Sequence, residues 1–317
     1  MSPFAKRTSD SVSALGEERL ISAIRCWLGP ATPPAPRGIG DDCAVLAPAK
    51  HKQVITVDPV IYGRHFDDRV APRDVGAKLL KRNLSDLAAM GASPTAAVIA
   101  LTLDPRVSLV WLEQFYRGLA ACARKYRVPV VGGDIAQANG VLAASLTLLG
   151  QAAGPRLLLR TGAKIGDWIY VTGSLGGSIT GHHFSFHPRL AEGAWLAARA
   201  EPRAMMDLSD GLAKDLHALT PENAEPAITP ASIPVSRAAN RLAKETHRTP
   251  LNHALSDGED YELLFIVGQH IERTAFERAW HRRFTIPLTC LGRFVRHGQR
   301  PIGTIDWRTY HGYEHLR

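Results

Sequence analysis

The sequence predicts an α/β protein with mixed (α+β) sheets in two domains, and three observations carry that expectation. Its 317 residues, 45% of them hydrophobic, exceed the ~250–300 at which single cores stop growing. Through the first half, runs rich in small and β-branched residues alternate with runs of helical spacing, the pattern of an α/β unit. Turn residues from Gly150 to Pro155 then interrupt the alternation, which divides the chain into residues 1–152 and 153–317.

In order, Ser11 to Leu28 reads as an amphipathic helix with Leu20, Ile21, Ile24, Trp27 and Leu28 on one face. Pro30 stops it, and Pro33-Pro34-Ala35-Pro36 reads as a stiff connector. Gly38-Ile39-Gly40-Asp41-Asp42-Cys43 sets two adjacent carboxylates between a glycine turn and an apolar run. A short strand follows at Ala44 to Leu46, and a second, Gln53 to Val57, delivers Asp58 at its end, with His65 close behind. Pro72 to Met90 keeps helical spacing and Gly91 stops it. Asp86 lies among its apolar positions beside Ser85, Ala88 and Ala89, which suits either a local polar contact or a metal ligand. Thr95 to Leu103 reads as a buried strand, Ser108 opens a helix running to Tyr126, and Val128 to Val131 is a strand ending in Gly132-Gly133-Asp134. Two glycines admit a ligand close to the backbone, although the same triplet also serves ordinary turns. Leu142 to Leu149 completes the first half.

The second half opens on the strand Trp168 to Thr172, and the turn Gly173-Ser174-Leu175-Gly176-Gly177 leads into a helix. That turn lacks the lysine of a P-loop. His182, His183 and His187 have too few companion ligands for zinc and read as an exposed loop. Met205 to Gly211 forms a strand and turn before a helix carrying Leu212, Leu216 and Leu219. A helix cap uses only one of Asp207, Ser209 and Asp210, which leaves the others for a ligand. Asp257-Gly258-Glu259-Asp260-Tyr261-Glu262, taken alone, is a solvated acidic loop before the strand Leu263 to Val267. Helix Ile271 to Trp280 and strand Leu288 to Phe294 complete the pattern.

Formal net charge is +8, with basic residues scattered rather than run together, so nucleic-acid binding is not expected. The four cysteines lack paired metal-ligand spacing and suit reduced thiols in a cytoplasmic protein. No apolar run approaches the ~20 residues of a membrane helix, and the N-terminus has no apolar signal core. What does stand out is the recurrence of acids at the edges of apolar or glycine-containing runs. A fold that gathers them needs hard divalent cations, and oxygen-rich sites of this kind suit magnesium holding phosphates.

The motifs Gly-Ile-Gly-Asp-Asp from Gly38, Asn-Leu-Ser-Asp-Leu-Ala-Ala-Met-Gly-Ala from Asn83, Arg-Thr-Gly-Ala-Lys-Ile-Gly-Asp from Arg160, Asp-Leu-Ser-Asp-Gly-Leu from Asp207 and Gly-Glu-Asp-Tyr-Glu-Leu from Gly258 occur in this order. Together they resemble the thiamine-monophosphate kinases, of the superfamily that includes aminoimidazole ribonucleotide synthetase. The resemblance runs from Gly38 to Tyr313. It implies a two-domain fold like that of the synthetase, with an N-terminal domain that dimerises through its sheet and a C-terminal domain closing over nucleotide and substrate. It also implies ATP as phosphoryl donor, thiamine monophosphate as acceptor and several magnesium ions, and leaves a potassium ion open. By the same match the metal positions are Asp41, Thr56, Val57, Asp58, Asp86, Asp134, Asp207 and Asp210, with Asp58, Asp86, Asp134 and Asp210 at the catalytic centre. Tyr116, Gly133, Asp134, Arg160 and Ser209 fall near ATP, and His65, Glu259 and Tyr313 around thiamine phosphate.

Three positions depart from the family pattern. Val57 replaces a hydroxyl residue and can offer only its backbone carbonyl, Ile135 replaces the threonine after Gly-Gly-Asp, and Asp257 replaces a glycine. Other enzymes of the superfamily, or a non-catalytic nucleotide-binding relative, are the competing expectations. Selenophosphate synthetase needs a reactive cysteine in a glycine-rich N-terminal loop, whereas Cys26 lies in a helical pattern. The hydrogenase-maturation member needs a C-terminal cysteine, and this chain ends His315-Leu316-Arg317.

Overall fold

The computed structural model describes residues 2–35, 37–39 and 43–314. They form two compact units, Met1–Leu87 with Ser93–Ala152, and Ala88–Ala92 with Ala153–Arg317. Gly40, Asp41 and Asp42 lie outside the described residues.

In the first unit Gly16, at φ 77°, divides the expected N-terminal helix into α1 (Val12–Leu15) and α2 (Glu17–Leu28), whose Leu20, Ile24 and Leu28 are buried at i, i+4, i+8. The sheet is formed by β1 (Gln53–Ile61), β2 (Ala92–Leu103), β3 (Val130–Gln137) and β4 (Leu142–Ala152), in the order β1-β4-β2-β3. Two helices pack with it, α3 (Pro72–Met90) and α4 (Leu109–Tyr126). Both match the sequence expectation, and Ser108 caps α4 by accepting from Trp111 N at 3.4 Å. The helices meet backbone to backbone, because a Cβ at Gly76 would overlap the Phe115 carbonyl and one at Gly118 the Arg73 carbonyl.

Three local expectations are corrected. Residues 44–46 form no strand, and Val45 and Leu46 are exposed, since the run pairs with no described strand. β1 does not end at Val57: it pairs antiparallel with β4 from Gln53↔Gln151 to Ile61↔Ala143, so Asp58 sits within the strand. Pro59 is tolerated there because β1 is an edge strand. Gly132-Gly133-Asp134 is no turn either, since parallel pairing with Val98, Ile99 and Ala100 keeps it extended inside β3.

The second unit is built on β5 (Trp168–Thr172), β6 (Pro202–Asp207), β7 (Ala224–Ile228), β8 (Leu263–Val267) and β9 (Leu288–Arg296), ordered β6-β8-β5-β9-β7 with each neighbouring pair antiparallel. Around it lie α5 (His182–Ser185), α6 (Leu190–Ala197), α7 (Leu212–Leu219), α8 (Arg237–Leu242), α9 (Pro250–Ser256) and α10 (Arg273–Arg283). Both faces of the sheet are covered. Ile169, Val171, Leu264 and Ile266 join Leu212, Leu216 and Leu255 in one core. Tyr170, Leu263, Phe265 and Val267 join Leu196, Phe276 and Trp280 in the other. Burial on both faces explains why β8 reads as five consecutive apolar residues. The turn after β5 leads into a 3-10 turn and the four-residue α5 rather than a full helix. His183 is buried there, and its Nδ1 lies 2.6 Å from the Ser178 carbonyl, so the histidine cluster is not simply an exposed loop.

Candidate functional site

In the first unit, strand alternation decides which side chains meet. Thr56 and Asp58 stand opposite Leu148 and Leu146 on β4, both fully buried, and so face the helices. Ile55, Val57 and Ile61 point the other way and are exposed. Helix α3 presents two polar residues one turn apart to the buried face of β1. Asp86 Oδ2 accepts from Thr56 Oγ1 at 2.5 Å. Arg82 donates to Asp58 Oδ1 at 3.3 Å and to the Pro59 carbonyl at 2.5 Å. The Val57 side chain therefore stands on the face opposite Thr56 and Asp58, and only its backbone remains on offer to a ligand there.

Asp134 is on the edge strand β3 and exposed, while Gly133 is required by the close approach of β2, because a Cβ would overlap the Ile99 carbonyl oxygen. Beside them is a cavity of about 550 Å³ walled by Ile21, Ile24 and Arg25 of α2, by Tyr116, and by Ile135. Tyr116 is almost fully buried, its hydroxyl pushed up by that burial. His65 closes a tight turn after β1, with its Nδ1 accepting from Ile61 N at 3.1 Å, which leaves the ring proton on Nε2.

The second unit gathers four of the expected positions through backbone hydrogen bonds. Glu259 N donates to the Ser209 carbonyl and Tyr313 N to the Asp210 carbonyl, both at 2.8 Å. Lys214 bonds both Asp210 Oδ2 and the Tyr313 carbonyl at 2.7 Å. Asp207, at the end of β6, is buried at 3% exposure. Arg160 is exposed in the segment before β5, and its side chain has no hydrogen bond to a described residue.

Several residues of this region carry no ligand signal in the sequence. Asp215, in the first turns of α7, accepts from Ser209 N and Asp210 N at 3.0 Å each. Burial first, and then the nearby Asp207 and Asp210, push its carboxyl up to about 7, against the two N–H bonds. The segment 257–262 is not a solvated loop. Asp260 is 2% exposed and accepts from Gly176 N at 2.9 Å, with burial holding its carboxyl well above the carboxylate range. Asp257 accepts from Gly177 N at 2.9 Å and Arg248 at 3.0 Å, and faces His253 Nδ1 at 2.9 Å. Glu262 pairs with Arg189 at 2.5 Å and accepts from Thr172 Oγ1 at 2.6 Å. The glycine turn is thus clasped by carboxylates some 80 residues downstream. Glu259 and Tyr261 both hold positive φ, at 64° and 52°, a strained conformation outside glycine that persists at ligand-holding loops.

Among the described residues, no three acidic, histidine or cysteine side chains are gathered as a metal cage. The candidate ligand side chains are all oxygen donors. That set fits magnesium, which keeps several waters and takes only one or two carboxylates besides substrate phosphates.

Comparison with known proteins adds an independent line. Residues 40–152 match the family model described as AIR synthase related protein, N-terminal domain. Over 311 residues the chain is 37% identical to the thiamine-monophosphate kinase of Escherichia coli strain K12, covering 88% of this chain and 91% of that protein. It is 36% identical over 268 residues to the thiamine-monophosphate kinase of Rhodopirellula baltica, covering 81% and 83%. Among solved structures, thiamine-monophosphate kinase from Stenotrophomonas maltophilia K279a superposes with a TM-score of 0.73 at 32% identity, over 90% of this chain and 96% of that one. AaThiL complexed with AMPPCP and TMP superposes at 0.71 with 26% identity, over 96% and 98%.

Proposed function

The chain belongs to the thiamine-monophosphate kinase family, and from that membership we propose that it transfers the γ-phosphoryl group of ATP to the phosphate of thiamine monophosphate, giving thiamine diphosphate and ADP. The observation that carries this reading at the level of residues is the joining of Ser209, Asp210, Glu259 and Tyr313 by backbone bonds. Expected nucleotide and thiamine-phosphate positions thereby become neighbours, although about 50 residues separate each segment from the next.

Asp58, Asp86 and Asp134 in the first unit, and Asp207 and Asp210 in the second, would hold magnesium, with Thr56 and the Val57 carbonyl assisting and Asp41 added from sequence alone. Magnesium, when bound, supplies the positive charge that lets two polyanions approach. The protein's own share is positioning. Gly133 lets the β3 backbone come close to a phosphate, Tyr116 and the apolar walls beside it receive the nucleoside, and Ser209 and Arg160 orient the phosphates. Glu259, Tyr313 and His65 hold the acceptor. Its phosphate is ionised at neutral pH, so one of its oxygens attacks the γ-phosphorus directly as the bond to ADP breaks, and no covalent enzyme intermediate is needed. A potassium ion is an open addition.

The exposed row Ile55, Val57 and Ile61 on edge strand β1 supports a homodimer formed through this sheet. We place the enzyme in the cytoplasm on its four unpaired thiols; no helix among the described residues is long and apolar enough to cross a membrane. The deciding experiment supplies purified protein with magnesium, ATP and thiamine monophosphate and follows ADP and thiamine diphosphate. Stoichiometric formation of both is expected, with free thiamine a poor acceptor. A folded protein that forms neither product overturns the assignment.

A further inference from the structure

We propose that Asp215 is a positioning residue for phosphoryl transfer, its carboxylate holding the turn Leu208-Ser209-Asp210 in the conformation that presents Ser209 and Asp210 to the nucleotide. The inference rests on the kinase reading above and extends it to a residue that touches no substrate.

Asp215 is the fourth residue of α7, and helix side chains lean toward the N-terminus. It does not cap its own helix. The N-cap is Gly211, which has no side chain to bond with, and Asp215 reaches past it to the two N–H groups ahead of the helix. One oxygen, Oδ2, receives both at 3.0 Å. Two successive N–H groups converging on one point form a concave anion site, and here the protein fills it with its own carboxylate.

With those two bonds, every backbone polar group of the turn is committed. Leu208 N donates to the Glu262 carbonyl, and the Leu208 carbonyl accepts from Tyr261 N. The Ser209 and Asp210 carbonyls accept from Glu259 N and Tyr313 N. Only the Ser209 and Asp210 N–H groups depend on a side chain, and both depend on the same one. Asp215 is 5% exposed and shares its surroundings with Asp207 and Asp210. An acid in that place is costly to bury, and an apolar residue would pack at lower cost were the helix surface all that mattered. Without the acceptor the two N–H groups must turn toward another partner, which rotates the Ser209 and Asp210 side chains and pulls on the strained Glu259 bonded to the same turn.

The test compares wild type, Asp215→Ala and Asp215→Asn in initial-rate kinetics at a temperature well below every melting point, beside thermal melts with and without magnesium-ADP. Asp215→Ala is expected to lower kcat about 10²-fold, the cost of misplacing groups by about 1 Å, and to shrink the magnesium-ADP melting shift, with KM for thiamine monophosphate less affected. Asn keeps an acceptor oxygen but brings an NH2 group with two donors into a site built for an acceptor, so Asp215→Asn should recover much of the melting temperature while staying about 10-fold slow. Should the alanine variant not fold, the asparagine variant decides alone. Folded variants with kcat within about threefold of wild type and an unchanged magnesium-ADP shift would reduce Asp215 to a structural residue and overturn the inference. A wild type without kinase activity would instead overturn the function proposed above.

Discussion

Asp86→Asn separates an electrostatic role from a packing role at one position. Asp86 Oδ2 accepts from Thr56 Oγ1 at 2.5 Å, and Asp86 is half-buried. Asparagine keeps an acceptor in the same place but demotes a charge-assisted bond of about 1.5–3 kcal/mol to a neutral one of about 0.5–1.5 kcal/mol. Stability should fall by about 1 kcal/mol, or about 2–4 °C in Tm for a unit of about 150 residues such as the one that holds Asp86. Activity should fall far more, about 10²-fold or beyond, the scale of losing a preorganised charge contact. Thr56→Val removes the same bond from the other side, so it should reproduce the melting loss without the full rate loss. Melts with and without magnesium-ATP, run beside initial rates for both variants, distinguish the effects. A near-normal rate for Asp86→Asn, together with magnesium-ATP stabilisation equal to wild type, would refute a ligand role and leave Asp86 a polar partner of β1.

Two further outcomes follow from the same geometry. Val57→Thr should leave kcat and both KM values unchanged, because its side chain faces away from Thr56 and Asp58, whereas Val57→Asp should weaken self-association in sedimentation by placing charge within the exposed Ile55–Ile61 row; altered kinetics in the threonine variant would show that the face assignment is wrong. Asp104 accepts from Arg106 Nε at 2.9 Å and from Arg106 N and Gly140 N at 2.8 and 2.6 Å, and these bonds, the Arg106 side chain first, hold its carboxyl well below the usual range. A depressed folded pKa gives stability that is fully present above the unfolded value of about 3.9 and lost as pH falls through the folded one. Asp104→Asn should therefore melt below wild type at pH 7, with the gap closing below pH ~4; a gap independent of pH would contradict this.

What could be read in the sequence, and what could not, divides by whether the partners are local. Helices α3 and α4 were legible because spacing, Ser108 and Gly91 are signals carried by the segment itself. β1 extends beyond Val57 because nine residues pair with β4, a contact almost 90 residues away that no local turn residue announces. The acids of 257–262 resemble a solvated loop for the same reason. Their charges are met by Gly176 N, Gly177 N and Arg189, and nothing near them in sequence shows it. Asp215 was illegible on a further count, since its donors belong to the backbone, which every residue possesses. The resemblance to known kinases locates the positions expected to touch ligand, but it does not say what holds them. In the second unit the holding is done by carbonyl and N–H groups of three segments, and two of the N–H groups close on a single side chain. A motif such as Asp-Leu-Ser-Asp-Gly-Leu is therefore incomplete as a physical unit, because the acid that sets its geometry lies four residues beyond its glycine.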